Sequence, residues 1–549
     1  MIEADRHPWL VHYPERTPHD LRPEPSTWCR ELSKAFAEFE DQLMLEYYGQ
    51  TWTYAEMRQD VARMAAALRA SGIGKGDRIA LHLPNCPWHP IFFYAALATG
   101  AAVTHLSPLD AAEEIAHKLE DSGAKLVVTL KTPELCHQFN ALIGREGLPV
   151  IVQCSDPVSA AGRDCPLLEG AQAVEDFWDG HEGARFDPVD VRPDDIALLQ
   201  YTGGTTGLPK AAVLTHANLC ASVEMFHAFS LDEPAADRGK PALVYSPLFH
   251  IMGLVTALMK RTREGGVIHL RLRFDAAQAV EEIARHKIAS FGGVPTTWIG
   301  ILQAPGVTRE KLASLEYASS GGAPMPTEVR RRVREMTGLD VRGGWGMTET
   351  SAAGTLIPKG AWDDKAASIG VPIAGAELKI VDVEDPAKTL PTGETGEIAI
   401  RGPNVMREYW NKPEETRTAF HDGWLLTGDV GYMDDDGFFY IVDRKKDLIL
   451  SGGFNVYPLV IEKAVHQHPN VAEAMVVGVP DDYRGESAKV YVTLNVGAKP
   501  FSLTELQAFL ADKLGRHEIP RHLEFRATLP HTPVGKADRK ALRRETRDT

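Results

Sequence analysis

The stretch from Thr53 to about Leu130 alternates between a helical and a strand pattern. Thr53 and Glu56 have the spacing of a capping box, and the residues after them place Met57, Val61 and Met64 on one helical face. The next segments are typical of a buried strand, a helix and another strand: RIALHL (78–83), WHPIFFYAALATG (88–100) and KLVVTL (125–130). Because strands and helices alternate in this way in α/β proteins, we predict α/β architecture.

The chain of 549 residues is longer than one hydrophobic core usually organises, so we expect two or more domains. The alternation resumes after a Gly- and Asp-rich stretch near 160–195, and past residue 370 the pattern changes to short strands separated by turns. The charged run DRKKDLI (443–449) precedes a helix, strand, strand, helix, strand pattern. We predict a large N-terminal domain of αβ subdomains plus a β-rich subdomain, residues 1–443, and a small α+β domain, residues 444–549.

The composition narrows the class of protein. A hydrophobic content of 44% and a charged content of 24% are ordinary for a globular protein, and the formal net charge of −16 argues against nucleic acid as the main partner. The six cysteines show no CxxC spacing and the N-terminus has no basic, apolar signal sequence, so we expect reduced cysteines and a cytoplasmic location. Since no apolar run reaches about 18 residues, any membrane contact would be peripheral.

The segment YTGGTTGLPK (201–210) has the composition of a phosphate-binding loop. It is not a Walker A loop, because Lys210 stands three residues after Gly207 and is followed by AAVLTH (211–216), a strand pattern; the next helix is expected near Asn218. Glycines let backbone amides approach an anion, and threonines add hydroxyl donors. The donors of this strand–loop–strand cradle are Thr202, Gly203, Gly204, Thr205, Thr206 and Gly207. The alternative is a flexible Gly/Thr hairpin.

Two further segments carry polar groups suited to a nucleotide. In GGWGMTET (343–350), Trp345 could stack on a base and Glu349 could hold a hard cation, although a buried tryptophan beside a solvated turn is the alternative. In TGDVGYMDDDGFFY (427–440), Asp429 could accept hydrogen bonds from ribose hydroxyls. We interpret the acidic run 434–436 as a hairpin turn with solvated carboxylates rather than a metal loop.

Taken together, these segments make the chain resemble the adenylate-forming superfamily of acyl-CoA synthetases, adenylation domains and luciferases. YTGGTTGLPK, GGWGMTE, TGDVGY, DRKKDLI and the late TPVGK occur in the family's order and at its approximate spacings, over essentially the whole chain. The resemblance implies ATP, Mg²⁺ and coenzyme A as cofactors and co-substrates. It also implies a C-terminal domain that moves.

The resemblance implies roles for individual residues. Residues 202–206 and Lys210 would hold the ATP phosphates, Thr348 the α-phosphate, and Glu349 the magnesium ion. Lys536 would bridge the reacting carboxylate and the α-phosphate. The adenine would lie against Gly322, Ala323, Pro324, Gly344 and Trp345, and the ribose against Asp429 and Arg444.

In the C-terminal part, the resemblance makes Lys446 the hinge of the small domain, while Gly452 and Gly453 would allow the pantetheine arm of CoA to approach the backbone. Ligases of the 4-coumarate type commonly carry lysines in this loop, where this chain has Leu450 and Gly452, which is closer to fatty acyl-CoA synthetases. His250 in YSPLFHIMG (245–253) is the candidate gate between the acyl pocket and the CoA tunnel. Segments 291–298 and 319–324 would line the acyl channel.

The sequence therefore predicts an ATP-dependent, AMP-forming carboxylate–CoA ligase, with a medium- or long-chain fatty acid as the leading substrate class. An aryl or dicarboxylic acid remains an alternative, as does an enzyme that loads the acyl group onto a carrier protein. From another class, the chain could be a nucleotide- or acyl-binding sensor without catalysis. Lys210, Glu349, Asp429, Arg444 and Lys536 together argue against the sensor.

Overall fold

The computed structural model describes residues 7–156, 165–202, 209–232, 239–322, 325–361, 365, 367–451, 454–481, 484–531 and 537–547. Its strands, in chain order, are β1 Leu43–Tyr47, β2 Gln50–Thr53, β3 Arg78–His82, β4 Ala102–His105, β5 Leu126–Leu130, β6 Val150–Cys154, β7 Gln172–Ala173, β8 Ile196–Thr202, β9 Lys210–Thr215, β10 Pro241–Val244, β11 Val267–Leu270, β12 Ser290–Gly293, β13 Tyr317–Ser320, β14 Val341–Trp345, β15 Thr355–Leu356, β16 Val371–Pro372, β17 Glu377–Val381, β18 Gly396–Arg401, β19 Glu408–Tyr409, β20 Phe420–His421, β21 Trp424–Met433, β22 Phe439–Arg444, β23 Ile449–Ser451, β24 Phe454–Val456, β25 Val471–Asp481, β26 Gly485–Leu494 and β27 His522–Phe525.

Most of the α-helices connect these strands, while the first helix precedes them and the last helix follows them. In chain order they are α1 Trp28–Glu38, α2 Tyr54–Ala70, α3 Trp88–Thr99, α4 Ala112–Ser122, α5 Pro133–Asn140, α6 Val174–Phe177, α7 His216–Phe229, α8 Lys260–Arg263, α9 Ala276–His286, α10 Pro295–Gln303, α11 Arg309–Leu312, α12 Thr327–Thr337, α13 Pro413–Ala419, α14 Pro458–Val465, α15 Leu503–Leu510 and α16 Arg539–Arg547.

Two large sheets and the helices around them form the N-terminal part. One sheet has the strand order β19-β9-β8-β4-β3-β5-β6-β7, and the other has the order β16-β15-β14-β13-β12-β10-β11-β1-β2. Helix α3 is apolar around its whole circumference and buried along nearly all its length, as expected for a helix inside a core. The predicted α/β architecture is confirmed.

The local signals in this part gave accurate element boundaries. The capping box of Thr53 and Glu56 forms as predicted and begins α2, and the strand predicted at 78–83 is observed as β3. Helix α7 begins at His216, two residues before the expected start near Asn218, because Thr215 and Asn218 form a second capping box.

The β-rich subdomain is the sheet β17-β18-β21-β20, with β22 paired to β21. The acidic run between β21 and β22 is a hairpin turn, in which the Gly437 amide donates to the Asp434 carbonyl over 3.0 Å. The predicted turn is confirmed, but its carboxylates are not simply solvated. Lys365 forms ion pairs with Asp434 at 2.8 Å and Asp436 at 2.6 Å.

The C-terminal part contains its own sheet, β24-β23-β26-β25 with β27 beside β26, and its own apolar core. Ser502 and Glu505 form the predicted capping box of α15. The pattern predicted a strand as the last element, whereas the structure adds α16 after it. Leu542 of this helix is buried, but the helix was missed because only two of the nine residues in RKALRRETR are apolar.

One pair of cysteines differs from the expectation. Cys136 on α5 and Cys165 form a disulfide with their Cα atoms 6.7 Å apart, while Cys29, Cys86, Cys154 and Cys220 are buried thiols. The expectation of six reduced cysteines is corrected for this pair. The two residues are 29 positions apart, so that no local spacing signalled their proximity.

Candidate active site

The candidate site residues of the nine-stranded sheet follow strands that end at one edge. Strands β10, β12, β13 and β14 are mutually parallel in the sheet order, and their carboxyl ends therefore meet at the same edge. His250 follows β10, Gly322 follows β13 and Trp345 ends β14. This edge is where ligands bind in open α/β sheets.

The strand–loop–strand arrangement predicted for the candidate phosphate segment is confirmed in its two strands. Strands β8 and β9 pair antiparallel, and Thr202 lies opposite Lys210 across the ladder. These two residues are the ends of the loop. Gly203, Gly204, Thr205 and Thr206 lie outside the described residues.

Lys210 contacts a tyrosine that the sequence did not single out. Strand β19 pairs antiparallel with β9, and Tyr409 lies opposite Ala212. Lys210, two residues before Ala212, projects from the same face of the sheet. Its Nζ atom lies 4.3 Å from the centroid of the Tyr409 ring, within cation–π distance.

The same tyrosine contacts the candidate magnesium ligand. The Tyr409 hydroxyl donates a hydrogen bond of 2.7 Å to Oε1 of Glu349. Burial and then the negative charge of Glu349 raise the pKa of Tyr409, so that the phenol keeps its proton and remains the donor. Lys210, Tyr409 and Glu349 thus form a continuous chain of contacts from the phosphate hairpin to a buried carboxylate.

The surroundings of Glu349 suit a hard cation. The side chain is buried, and no lysine, arginine or histidine among the described residues forms an ion pair with it. Lys446 acts on Glu349 through its charge but not through an ion pair. A buried carboxylate is costly without a cation in direct contact, and a magnesium ion held jointly with nucleotide phosphates would supply that contact. Within the described parts of the chain no three His, Cys, Asp or Glu side chains cluster in a way that could hold a metal ion.

The turn that carries Thr348 and Glu349 is strained and held from one side. After the 3₁₀ turn Thr348–Thr350, Ser351 and Ala352 both adopt left-handed backbone conformations, with φ of 50° and 72°. The buried Asn404 amide donates to the carbonyls of Thr350 at 2.8 Å and Ala353 at 2.7 Å. Two left-handed non-glycine residues persist only where neighbours impose them, and Asn404 is one such neighbour.

The candidate adenine and ribose residues are in contact. Trp345 Nε1 donates to Asp429 Oδ2 over 2.8 Å, and Arg444 pairs with Asp429 Oδ1 at 2.5 Å. Asp429 and Arg444 are also register partners between β21 and β22. Gly344 has no room for a side chain, because a Cβ there would lie 2.5 Å from the Thr355 carbonyl.

Lys446 lies close to both halves of this site. Burial and then the charge of Arg444 lower the pKa of Lys446. Opposing contributions come from three carboxylates, Asp447, Asp429 and Glu349. The Lys446 side chain is exposed, and the charges of the candidate ribose and magnesium carboxylates, Asp429 and Glu349, act on it.

The segments expected around the acyl group also meet. Gly292 and Gly293 of β12 lie opposite Ser319 and Ser320 of β13. A Cβ on Gly321 would lie 3.0 Å from the Met252 sulfur, so the segment after β13 contacts the turn that contains His250.

A buried amide links the His250 turn to the phosphate hairpin. Gln200 of β8 donates to the Phe249 carbonyl at 3.0 Å and accepts from His105 Nδ1 at 2.9 Å. Burial lowers the pKa of His105 to about 4, so the imidazole is neutral with its proton on Nδ1.

Several predicted residues cannot be placed in this geometry. Ala323 and Pro324 of the adenine site, Gly452 and Gly453 of the CoA loop, and the adenylation lysine Lys536 lie outside the described residues. Just after Lys536, helix α16 contacts the hinge: Arg543 donates to the carbonyls of Lys446 at 3.2 Å and Asp447 at 3.1 Å.

Three residues of the site were missed from the sequence: Tyr409, Asn404 and Gln200. Each acts through a contact with a segment distant in sequence, and Tyr409 lies 60 positions from Glu349. The local sequence around these residues offered one indication of a role, which was their place in the chain. Gln200 directly precedes the candidate phosphate segment, and the other two residues lie in the loop-rich stretch after β18.

The sequence matches two models of one family. Residues 32–410 match the model for AMP-binding enzyme, and residues 460–536 match the model for AMP-binding enzyme C-terminal domain. A long-chain-fatty-acid–CoA ligase of Bacillus subtilis (strain 168) is 36% identical over 555 residues, covering 98% of each chain. A feruloyl-CoA synthase of Amycolatopsis sp. is 35% identical over 504 residues, covering 90% of this chain and 94% of the relative.

The fold agrees with that of a solved enzyme. The crystal structure of ATP-bound MatB from Rhodopseudomonas palustris superposes with a TM-score of 0.83 at 28% identity, covering 95% of this chain and 99% of MatB. None of the helices within the described residues is both long and apolar enough to cross a membrane.

Proposed function

This chain belongs to the AMP-binding enzyme family, and from that premise we propose that it is an ATP-dependent, AMP-forming ligase that joins a long-chain fatty acid to coenzyme A. The observation that carries the proposal is the chain of contacts Lys210–Tyr409–Glu349. It connects the phosphate hairpin with a buried carboxylate, beside the contact between Trp345 and Asp429.

In the first half-reaction, the carboxylate of the acid attacks the α-phosphorus of ATP, the bond to the β-phosphate oxygen breaks, and pyrophosphate leaves. No general base is required, because the nucleophile is already ionised. Lys210 and the hairpin donors hold the departing phosphates, Thr348 the α-phosphate, and Asp429 the ribose. Preorganised donors of this kind lower the barrier because they are aimed at charge that develops in the transition state.

Two further groups complete this step in the proposal. Magnesium held by Glu349 would neutralise charge on the phosphate oxygens. Lys536 is assigned to the attacking carboxylate and the α-phosphate, where its positive charge offsets the repulsion between the two anions. This assignment follows the family motif.

In the second half-reaction, the thiol of CoA attacks the acyl carbonyl and AMP leaves. We assign residues 1–443 and 444–549 to two domains that rotate about Lys446 between the half-reactions, with Gly452 and Gly453 along the pantetheine path and His250 as the gate. The charges of Asp429 and Glu349 that act on Lys446, and the hydrogen bond from Arg543 to its carbonyl, support this assignment. The enzyme would act in the cytoplasm; four of its six cysteines are buried thiols, as that compartment favours, and the Cys136–Cys165 pair is the exception.

Two observations support a fatty acid as the proposed substrate class: similarity to a fatty-acid–CoA ligase and the residue at position 450. The B. subtilis ligase matches over nearly the full length of both chains. Leu450, which is 57% exposed, stands where ligases of the 4-coumarate type commonly carry a lysine. An aryl acid is the second candidate because the feruloyl-CoA synthase is almost as similar in sequence.

The test is a substrate panel. Purified protein is incubated with Mg-ATP, CoA and octanoate, palmitate, benzoate, a coumarate or pimelate, and products are identified by mass spectrometry while AMP is measured. We expect palmitoyl-CoA with one AMP for each thioester. Preference for the coumarate would favour the aryl-acid alternative, acyl-AMP without thioester would indicate a carrier-protein partner, and the absence of AMP with every acid would contradict the ligase.

A further inference from the structure

We propose that Tyr409 is a positioning residue for adenylation, whose hydroxyl orients the carboxylate of Glu349 and whose ring orients the ammonium of Lys210. The inference rests on the proposed function, because it concerns how the two groups that would bind Mg-ATP are held. Tyr409 is thereby added to the proposed site, and its hydroxyl and its ring each position a different group.

The Tyr409 hydroxyl fixes the orientation of the buried Glu349 carboxylate. Tyr409 donates to Oε1 of Glu349 over 2.7 Å, which leaves Oε2 available for a cation. A neutral phenol orients the carboxylate without supplying a positive charge, so the full negative charge stays available. Partners that orient a metal-binding carboxylate in this way commonly affect metal affinity by about 10- to 100-fold.

The Tyr409 ring fixes the direction of the long, flexible Lys210 side chain. The Lys210 Nζ lies 4.3 Å from the ring centroid, and among the described residues no carboxylate forms an ion pair with it. The ring therefore holds the ammonium group near the start of β9 without neutralising it. A lysine held in this way keeps its charge for a phosphate.

The position of Tyr409 does not depend on its own side chain. The strand segment around it is held by backbone hydrogen bonds: Met406 N to the Glu349 carbonyl at 2.7 Å, Arg407 N to the Val213 carbonyl at 3.1 Å and Trp410 N to the Ala211 carbonyl at 2.8 Å. Removing the hydroxyl should therefore leave the backbone in place. This makes the substitution informative about the site rather than about folding.

The experiment is isothermal titration calorimetry of the full chain with ATP, once with excess Mg²⁺ and once with EDTA. The variants are Tyr409→Phe, Tyr409→Leu, Glu349→Gln and the double variant Tyr409→Phe/Glu349→Gln. The matched control is Tyr94→Phe, which removes a buried tyrosine hydroxyl bonded to Thr262 Oγ1 at 2.8 Å in the protein core. The quantity compared is the ratio of the two dissociation constants, with EDTA and with Mg²⁺.

We expect Tyr409→Phe to weaken binding of Mg-ATP by about tenfold and to leave binding of metal-free ATP unchanged, so that the ratio falls. Tyr409→Leu should in addition weaken binding of metal-free ATP, because the ring beneath Lys210 is lost. In the Glu349→Gln background, Tyr409→Phe should have little further effect on the ratio, because the hydroxyl acts through Glu349.

Other results would overturn the inference. A ratio in Tyr409→Phe equal to that of Tyr94→Phe, or additive effects in the double variant, would contradict the role of the hydroxyl. Equal binding of metal-free ATP by Tyr409→Leu and Tyr409→Phe would contradict the role of the ring. If the unmodified protein bound ATP under neither condition, the proposed function itself would fail, and that result is distinct from the others.

Discussion

At the scale of single residues, Gln200 occupies a connecting position between two parts of the candidate site. Its backbone belongs to the strand that leads into the phosphate hairpin, and its amide holds the Phe249 carbonyl directly before His250. Because a buried amide must satisfy both its donor and its acceptor, this contact ties the His250 turn to the hairpin. The position of His250 should therefore depend on the donor at Gln200.

The substitution Gln200→Glu tests this dependence. It replaces the amide donor by a carboxylate oxygen, which can only accept, so the Phe249 carbonyl would lose its partner. We expect the turn to shift and the KM values for the acid and for CoA to rise by about tenfold, with a smaller change for ATP. The matched control is Gln153→Glu, a buried strand glutamine of the same sheet that accepts from the Leu168 amide. Equal changes for all three substrates, or the same changes in the control, would contradict the prediction.

At the scale of elements, the turn after β14 depends on a separate segment for its conformation. Asn404 bonds the carbonyls on either side of the left-handed pair Ser351 and Ala352, and Ser351 Oγ in turn donates to the Asn404 carbonyl at 2.9 Å. The conformation that presents Thr348 and Glu349 is therefore imposed by the segment after β18. The left-handed conformation of Ser351 and Ala352 is not one that a regular helix or strand would give these two residues.

We predict that Asn404→Ala destabilises the protein by about 2–3 kcal/mol, because two buried carbonyls lose their donor. The measurement is urea denaturation followed by circular dichroism. Asn470→Ala serves as the control, since its amide bonds the Lys499 carbonyl at the surface. A loss for Asn404→Ala no larger than that of the control would show that Asn404 does not hold the turn.

At the scale of the whole molecule, α16 contacts the segment of Lys446, the proposed hinge. Arg543 holds the Lys446 and Asp447 carbonyls, and Arg539 pairs with Glu462 and with Asp447. These residues all belong to the predicted domain 444–549. Arg539 also forms an ion pair across Lys446 with Asp443 at 3.8 Å, and the proposed rotation would have to keep or exchange that contact.

We expect Arg543→Ala to change the two half-reactions unequally, because the carbonyl of Lys446, the proposed pivot, loses its donor. ATP–pyrophosphate exchange reports the first half-reaction, and CoA-dependent consumption of supplied acyl-AMP reports the second. Arg544→Ala, an exposed neighbour on the same helix, removes the same charge without touching the hinge. Parallel changes in both rates, or equal effects of the two variants, would argue against control by Arg543.

We also predict that the stability of the protein depends on pH through Asp443, which lies beside the proposed hinge. Burial raises the pKa of Asp443 to about 6, against the opposing charge of Arg539. The folded state thus binds this proton more tightly than the unfolded state, so the contribution to stability is full below the ordinary carboxyl pKa of about 4 and is lost as the pH rises through about 6. The thermal midpoint of the protein relative to that of Asp443→Asn should fall over this range. A constant difference between the two midpoints would contradict the raised pKa.

Local patterns in the sequence were sufficient to predict much of the architecture. The capping boxes at Thr53 and Ser502, the apolar helix α3 and the hairpin of the phosphate segment follow from periodicity, caps and glycine, which act over a few residues. Helix α16 was missed because it contains too few apolar residues, and the disulfide of Cys136 was missed because its partner is 29 positions away.

For the candidate site, the sequence by itself determined which chemical groups are present: the glycine and threonine loop, Lys210, Glu349 and Asp429. Only the tertiary structure decided how they are held, through Tyr409, Asn404 and Gln200. The physical reason is that a buried polar contact depends on the register and packing of segments far apart in the chain. Such a contact costs free energy when it is unmade, but it imposes no periodicity on the sequence around either partner.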